Sequence, residues 1–389
     1  MRQGFFLFMM GVVFAVYSLL NYYIGFRGWQ AFGSVFPFKK IYWFIFWLVV
    51  GAYILGRLGE RFIKGFNGKY LALIGGYWMA AMYYFLIILP VIDLFRLINR
   101  RIGILPDHIS GNPQVSLILG FIIVGVICFL LAYGTWNARN PHITRYDITI
   151  SKKVTNMSKV HLVLLSDIHL GRVVDHERLK TMVTGINKLK PDVVVFAGDI
   201  VDENVNILVE QKMAETFAKL NAPLGSYAVL GNHEYIGGHA EEIVVHLEQA
   251  GVKVLRDECQ FVNNSFYLAG RNDLSVNHFQ GPARKPLSQI LAAADKALPV
   301  ILLDHQPKNL DEAREAGVDL QLSGHTHRGQ FFPNNYITRR IFEVDWGYLK
   351  KADLQVIVSS GYGTWGPPVR IGNYPEIVDI YLTFSGSNK

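Results

Sequence analysis

Residues 160–171 read VHLVLLSDIHLG, an aliphatic run that ends in the triplet Asp167-Ile168-His169 and a short tail. The run predicts a β-strand over residues 161–167. Because side chains of an extended backbone alternate between its two faces, Asp167 and His169 point to the same side. A carboxylate and an imidazole placed in this way can hold one metal ion or face two. The stretch therefore predicts a strand that presents metal-binding side chains at its carboxyl end.

Four more segments with metal-binding side chains follow at the ends of predicted strands. Three of them contain a glycine, at positions 198, 231 and 324, which suits a tight strand-to-loop turn. Loops at the carboxyl ends of strands are where α/β folds collect ligands. The four segments are Gly198-Asp199, Gly231-Asn232-His233-Glu234, Asp304-His305 and Gly324-His325-Thr326-His327.

The chain after residue 141 alternates between two kinds of pattern. Short β-branched runs predict strands at residues 192–200, 226–231, 300–304, 319–323 and 355–359. Amphipathic stretches predict helices near residues 176–189, 206–220, 239–250 and 308–316. Strands and helices that alternate in this way indicate an α/β sheet domain.

The first 140 residues have a different character, and the whole chain is 51% hydrophobic. Apolar runs at residues 4–26, 41–56, 70–92 and 115–136 predict about four transmembrane helices, of which the second is short for a full crossing. A cleaved signal peptide would explain the first run alone, but three more runs follow it and no clear small-residue cleavage site does. The sequence therefore predicts an integral membrane protein.

The basic residues are concentrated in this apolar half. Residues 1–140 contain twelve Lys or Arg and three Asp or Glu, a balance of +9 against +7 for the whole chain. Basic residues that flank apolar spans contact lipid headgroups, which argues against a nucleic-acid partner. If all four helices span the membrane, nine basic residues lie on the side of the C-terminal domain and six on the other side. Because basic residues are more frequent on the cytoplasmic side, the domain is expected in the cytoplasm. If one span is interfacial, the expected side is the opposite one.

Other kinds of chemistry receive little support from the sequence. The two cysteines, Cys128 and Cys259, imply no disulfide framework and lack metal-ligand spacing. The glycine-rich segments do not form a P-loop, a dinucleotide-binding turn or a nucleophile elbow. The oligomeric state cannot be inferred from these residues.

The five segments resemble, in residues and order, the calcineurin-like metallophosphoesterases, whose pattern is D-x-H, G-D, G-N-H-E, a lone His and G-H-x-H. A lone histidine such as His305 is more often an ordinary residue than a ligand, but five segments in family order favour a metal centre. The resemblance covers roughly residues 158–384 and implies an αββα sandwich, with residues 1–140 as the transmembrane region and 141–157 as a linker.

The resemblance also implies a role for each matching residue. Asp167, His169 and His327 would hold one metal ion. Asn232, His305 and His325 would hold a second, and Asp199 would bridge the two. His233 would contact the phosphate and protonate the leaving group. Donors of imidazole, carboxylate and amide type, without thiolate, favour two divalent transition metals, either manganese, iron or zinc.

Residues 319–330 and 361–377 resemble the membrane-associated branch of this family, which includes lipid A precursor hydrolases. This implies hydrolysis of a phosphodiester or pyrophosphate bond in a membrane or lipid-linked substrate such as UDP-diacylglucosamine. Arg172 and Arg271 are further candidates for phosphate contact. Asp202 and Glu234 are candidates for hydrogen bonds to ligand imidazoles.

Two other functions remain open. The same chemistry could act on soluble phosphodiesters with the helices as an anchor, or the chain could be an inactive membrane scaffold or sensor. The complete ligand set argues against the inactive scaffold. A single helix would suffice as an anchor, so four helices favour a lipid substrate or a partner within the bilayer.

Overall fold

The computed structural model describes residues 2–63, 66–154, 156–202, 205–279 and 283–385. The chain forms two compact units. One contains Met1–Thr135 and Gly366–Val369, and the other contains Trp136–Trp365 and Arg370–Lys389.

The helical unit consists of long apolar helices. Candidate membrane spans cover Leu7–Phe32, Lys39–Gly59, Lys69–Ile102 and Pro113–Arg139. The second span has 21 residues, so it rises about 31 Å and is long enough to cross a hydrocarbon core. Its outward apolar side chains, such as Phe44, are exposed, as a lipid environment requires. The helices are α1 (Arg2–Phe32), α2 (Lys39–Phe62), α3 (Lys69–Ile102), the short α4 (Asp107–Ser110) and α5 (Pro113–Arg139).

The α/β unit is built on two six-stranded mixed sheets. The first has the order β1-β12-β2-β3-β4-β5 and the second β10-β11-β9-β8-β7-β6. Strands β2, β3, β4 and β5 run parallel, as do β7, β8, β9 and β11. The strands are β1 (His142–Ile150), β2 (Lys159–Leu165), β3 (Val193–Ala197), β4 (Ser226–Val229), β5 (Val252–Val254), β6 (Glu258–Val262), β7 (Phe266–Gly270), β8 (Val300–Leu303), β9 (Leu320–Ser323), β10 (Gly347–Lys351), β11 (Leu354–Val358) and β12 (Glu376–Phe384).

Helices cover the outer faces of the two sheets. Those that contribute buried side chains there are α6 (His176–Leu189), α7 (Asn206–Glu210), α8 (Met213–Phe217), α9 (Asn232–Ile236), α10 (Ala240–Gln249), α11 (Leu287–Ile290) and α12 (Leu310–Ala316). A further helix, α13 (Asn335–Ile341), has no buried residue. The stretch 206–220, predicted as one helix, contains the two short helices α7 and α8.

The hydrophobic core follows from the alternation of side chains along each strand. Leu162 and Leu164 of β2 pack between the sheets, together with Leu268 and Ile301 of the second sheet. The alternate residues of β2, including Val163, pack against the outer helices instead. The result is a four-layer sandwich of helix, sheet, sheet and helix that follows four apolar helices, which confirms the predicted fold class.

The segment 141–157, where the sequence predicts a linker, contains a strand in the structure. Strand β1 pairs in parallel with β12, and Ile148 and Ile150 are buried between the sheets. The alternating pattern HITRYDITI places these side chains on the core face. Only two residues therefore separate the end of α5 at Arg139 from the start of β1 at His142.

Candidate metal centre

The predicted ligands follow the carboxyl ends of parallel strands from both sheets. Asp167 follows β2, Asp199 follows β3 and Asn232 follows β4 in the first sheet. In the second sheet His305 follows β8 and His325 follows β9. Because parallel strands end at one edge of their sheet, side chains that are far apart in sequence meet there.

The backbone around these side chains adopts a conformation that residues other than glycine rarely take. The φ angles are 51° at Asp167, 51° at His169, 50° at Asp199, 73° at His325 and 47° at His327. Each such residue stores conformational strain of order 1–3 kcal/mol, and strain of this kind concentrates at functional sites. The ligand loops are therefore held in place by the surrounding fold.

The glycine at position 324 is required by the close approach of two loops. A Cβ atom at this position would overlap with the carboxylate of Asp167 and with the side chain of Ser166. In the native fold both oxygens of Asp167 accept a hydrogen bond from the backbone N–H of His325, at 3.0 and 2.9 Å. Any larger residue at position 324 would separate these ligands.

The first ligand cluster contains Asp167, His169 and His327, all of which are buried. The Nε2 atoms of the two histidines face each other at 3.0 Å, and that of His327 is 3.4 Å from Asp167 Oδ1. Burial lowers the pKa of His169 to about 4 and that of His327 well below its ordinary value. Both rings are therefore neutral near pH 7. Two facing nitrogen lone pairs beside a carboxylate suit a bound cation, so these residues fit a metal ion.

The second cluster contains Asp199, His305 and His325, with the amide of Asn232 beside them. The Nε2 atom of His305 lies 3.1 Å from Asp199 Oδ2, 3.3 Å from Asn232 Oδ1 and 3.3 Å from His325 Nδ1. The other ring nitrogen of His305 is 2.7 Å from the carbonyl of Ala197, which leaves Nε2 to face the cluster when Nδ1 donates. These four side chains fit a second metal ion.

Asp199 faces both clusters through the same oxygen. Its Oδ2 atom lies 3.9 Å from His169 Nε2 and 3.1 Å from His305 Nε2, while Oδ1 accepts from the backbone N–H of His233 at 2.9 Å. Burial alone would raise the pKa of Asp199, but His305 and the other imidazoles hold it well below its ordinary value. The carboxylate is therefore anionic and faces both clusters.

His233 lies beside the first cluster at the start of α9. Its ring centre is 4.6 Å from that of His169, and its Nδ1 is 3.3 Å from Asp202 Oδ1. Although burial lowers the pKa of His233, Asp202 and then Asp199 raise it to about 9. The imidazole is consequently protonated near pH 7 and able to donate a proton.

Glu234 stabilises the ligand loops in a way that differs from the predicted contact with an imidazole. Its carboxylate accepts hydrogen bonds from the backbone N–H groups of Asp199, Val201 and Gly231 at 3.2, 2.9 and 2.7 Å. A buried carboxylate therefore ties the loop after β3 to the loop after β4. Asp202 does contact an imidazole, that of His233.

The structure separates the two candidate phosphate-binding arginines. Arg271 is buried, and its guanidinium donates to Glu312 at 2.9 and 2.7 Å and to the carbonyl of Lys285 at 3.3 Å. Its described partners thus lie within the domain. Arg172 lies three residues after His169 in a half-buried turn and remains a candidate for phosphate contact.

Arg370 was not singled out by the sequence analysis although it is fully buried next to the first cluster. Its Nη2 atom lies 3.2 Å from His327 Nδ1, and the guanidinium donates to the carbonyls of Gly363 and Ser360. Burial lowers the pKa of Arg370 to about 10, so the group stays cationic. The signal present in the sequence was an arginine within the glycine-rich run of residues 361–377. Arg370 and His327 are 43 residues apart in the chain, so local sequence did not reveal their contact.

Comparison with known proteins finds a matching family model and several similar chains. The calcineurin-like phosphoesterase family model matches residues 160–329. An uncharacterized metallophosphoesterase of Aquifex aeolicus is 36% identical over 264 residues, which cover 67% of this chain and 99% of that protein. A Danio rerio protein described as a transmembrane protein with metallophosphoesterase domain is 31% identical over 315 residues, covering 77% and 71% of the two chains.

A third relative extends the similarity into the helical unit. An uncharacterized metallophosphoesterase of Campylobacter jejuni is 28% identical over 378 residues, which cover 95% of this chain and 97% of that protein. The similarity to this relative therefore covers residues of both units of the chain.

Proposed function

The chain belongs to the calcineurin-like phosphoesterases, and we propose that it is a membrane-bound hydrolase of a phosphodiester or pyrophosphate bond in a lipid-linked substrate. The observation that carries the hydrolase assignment is the convergence of two ligand clusters on Asp199. The four apolar helices place the protein in a membrane.

Seven side chains would hold the metal pair. Asp167, His169 and His327 face one position, Asn232, His305 and His325 face the other, and Asp199 faces both. Two divalent cations in such a site screen the phosphate oxygens and lower the pKa of bound water. The donor set favours manganese, iron or zinc. The protein contributes a buried, preorganised arrangement whose geometry is maintained by Glu234.

His233 would supply the proton that the leaving oxygen needs. It is protonated near neutral pH because Asp202 and Asp199 offset the effect of burial on its pKa. Its position beside the first cluster supports a leaving group on that side of the centre. Asp202 orients the ring through the contact at Nδ1, which leaves Nε2 to meet the substrate.

The lipid-linked substrate is supported by how the chain enters the domain. Only two residues separate α5 from β1 along the chain, and this short connection favours a substrate that is itself in the membrane. A soluble substrate gains nothing from this tether. UDP-diacylglucosamine has a pyrophosphate bond and acyl chains, and we expect its hydrolysis to release UMP.

Purified full-length protein loaded with manganese tests the proposal in detergent. We expect turnover of UDP-diacylglucosamine to exceed that of its deacylated analogue, with the Asp199→Ala variant as the inactive control. Equal rates would identify a phosphodiesterase for soluble substrates that uses the helices as an anchor. Metal-loaded protein with no activity on any phosphoester would favour the scaffold function.

The side of the membrane is a separate part of the proposal. Nine basic residues on the side of the domain against six on the other favour a cytoplasmic catalytic domain. A cysteine at the exposed position Val245 should resist membrane-impermeant thiol reagents in intact cells and react after lysis. Labelling before lysis would place the active site outside.

A further inference from the structure

An apolar surface borders the candidate metal centre on one side. We call it the apolar rim and define it by five residues that keep between 48% and 62% of their surface exposed. Exposed apolar side chains that cluster in this way mark interaction sites more often than single ones do. The members of the rim are Phe332, Tyr336, Ile337, Ile341 and Trp365.

The rim is connected to the catalytic residues by short contacts. The Trp365 ring lies 6.2 Å from that of His233, and the backbone of Trp365 is held on both sides by Gln330, at 2.9 Å to its N–H and 2.9 Å to its carbonyl. At the other end of the rim, Phe342 follows α13 directly, and its ring is 6.0 Å from His325. Whatever covers the rim therefore also lies at the mouth of the centre.

Helix α13 carries most of the rim and is tied to the loop that follows it. Thr338 donates a hydrogen bond to Asp345 Oδ2 at 2.6 Å. Each of the seven residues of α13 is at least partly exposed. Ile337 and Ile341 are four residues apart and share one side of the helix. An apolar stripe on a helix of this kind is stabilised only when another apolar phase covers it.

The charged residues next to the apolar stripe indicate which apolar environment covers it. Residues 331–342, FFPNNYITRRIF, contain no Asp or Glu and two exposed arginines, Arg339 and Arg340. Aromatic, aliphatic and basic side chains on one short helix are typical of segments that lie in the headgroup region of an anionic bilayer. The chain is already in a membrane, and its α/β unit is tethered there by two residues.

We infer that the apolar rim inserts among the headgroups of an anionic bilayer, with Arg339 and Arg340 against lipid phosphates, so that the metal centre opens onto the lipid surface. This deepens and rests on the proposed function, because it gives a lipid-linked phosphate a route to the centre without leaving the membrane. Trp365 then occupies the interfacial depth that tryptophan favours.

Fluorescence of a single label tests the inference without reference to turnover. In full-length protein with Cys128→Ser and Cys259→Ser, an environment-sensitive dye is attached at Ile337→Cys and, as a matched control, at Val245→Cys on α10, which is similarly exposed. The protein is placed in nanodiscs of phosphatidylcholine with phosphatidylglycerol and lipids spin-labelled near the headgroup. We expect a blue-shifted, strongly quenched signal at position 337 and a solvent-like signal at 245.

Two results would overturn the inference. In the first, the label at 337 behaves like the label at 245. In the second, the label at 337 is shielded from water but is not quenched by lipid, which would identify a protein partner or a second copy. Replacing Arg339 and Arg340 by glutamine should reduce the quenching at 337 and abolish its dependence on phosphatidylglycerol. An unchanged signal would also contradict the role of the arginines.

Activity gives a second readout that separates this inference from the proposed function. The double variant Ile337→Glu with Ile341→Glu should lower the ratio of lipid-linked to soluble diester turnover about tenfold, whereas Val245→Glu should not change it. Quenching at 337 without hydrolysis of any lipid-linked phosphate would disprove only the substrate. Hydrolysis of such a substrate with an unquenched label would disprove only the inserted rim.

Discussion

The two ligand clusters share Asp199 but differ in what lies behind them. Behind the first is the cationic guanidinium of Arg370, 3.2 Å from His327, whereas the second has the carbonyl of Ala197 behind His305. The first cluster contains its own carboxylate, Asp167, and the second has the neutral amide of Asn232 in the corresponding place. The additional negative charge of the first cluster thus offsets the arginine.

The two ligand clusters are therefore not equivalent. His233 and the exposed Trp365 lie on the side of the first cluster, so the leaving group is expected there. Among the described contacts of the ligands, the first cluster has a cation beside it, Arg370, and the second has none. Four variants test this difference.

Replacement of Asp199 by alanine removes the one side chain that both clusters share. We expect turnover to fall by at least about 10³-fold and metal content to fall at both positions, because each ion loses an anionic ligand. Turnover with soluble bis(p-nitrophenyl) phosphate and elemental analysis of the purified chain measure the two effects. A variant that keeps two metals and its activity would show that the clusters are independent.

Replacement of His233 by asparagine leaves both clusters intact. We expect kcat to fall about 10²- to 10⁴-fold, since the leaving group loses its acid, while two metals remain bound. The loss should be smaller for a substrate whose leaving group is already acidic, such as a nitrophenolate. Loss of a metal instead would make His233 a ligand of the first cluster.

Replacement of Asp202 by asparagine acts on His233 through its pKa. Asp202 raises the pKa of His233, and the protonated imidazole is the proposed active form. Activity should therefore be lost as the pH rises through the pKa of His233. Removing the carboxylate lowers the pKa, and the alkaline limb of the kcat profile should move down by about one pH unit. A pH profile that matches the wild type would remove Asp202 from the mechanism, and Asp175→Asn at the start of α6 serves as the control.

Replacement of Arg370 by methionine tests the group behind the first cluster. The carbonyls of Ser360 and Gly363 lose their buried donor, which should lower the unfolding free energy by about 3 kcal/mol. We also expect tighter metal binding at the first cluster, because a cation beside His327 is removed. Thermal unfolding and metal competition measure both effects, with Arg370→Lys as the charge-retaining control. Weaker binding would mean that Arg370 positions His327.

Much of the molecule is determined by local sequence. A bilayer of fixed thickness requires apolar runs of a certain length, so the four spans can be read directly from composition. Strand ends that carry Asp, Asn and His at short spacing, such as His325 and His327, indicate candidate ligands without reference to distant residues. Strand periodicity likewise predicts the α/β domain.

Tertiary structure decided the features that depend on contacts between distant segments. Strand β1 exists because Ile148 and Ile150 meet the second sheet, and its pairing with β12 joins residues more than two hundred positions apart. The role of Arg370 depends on His327, and that of Glu234 on backbone groups of three segments. Local patterns specify which chemical groups a chain offers, but burial and charge depend on what packs beside each group, and this is set only when the sheets come together.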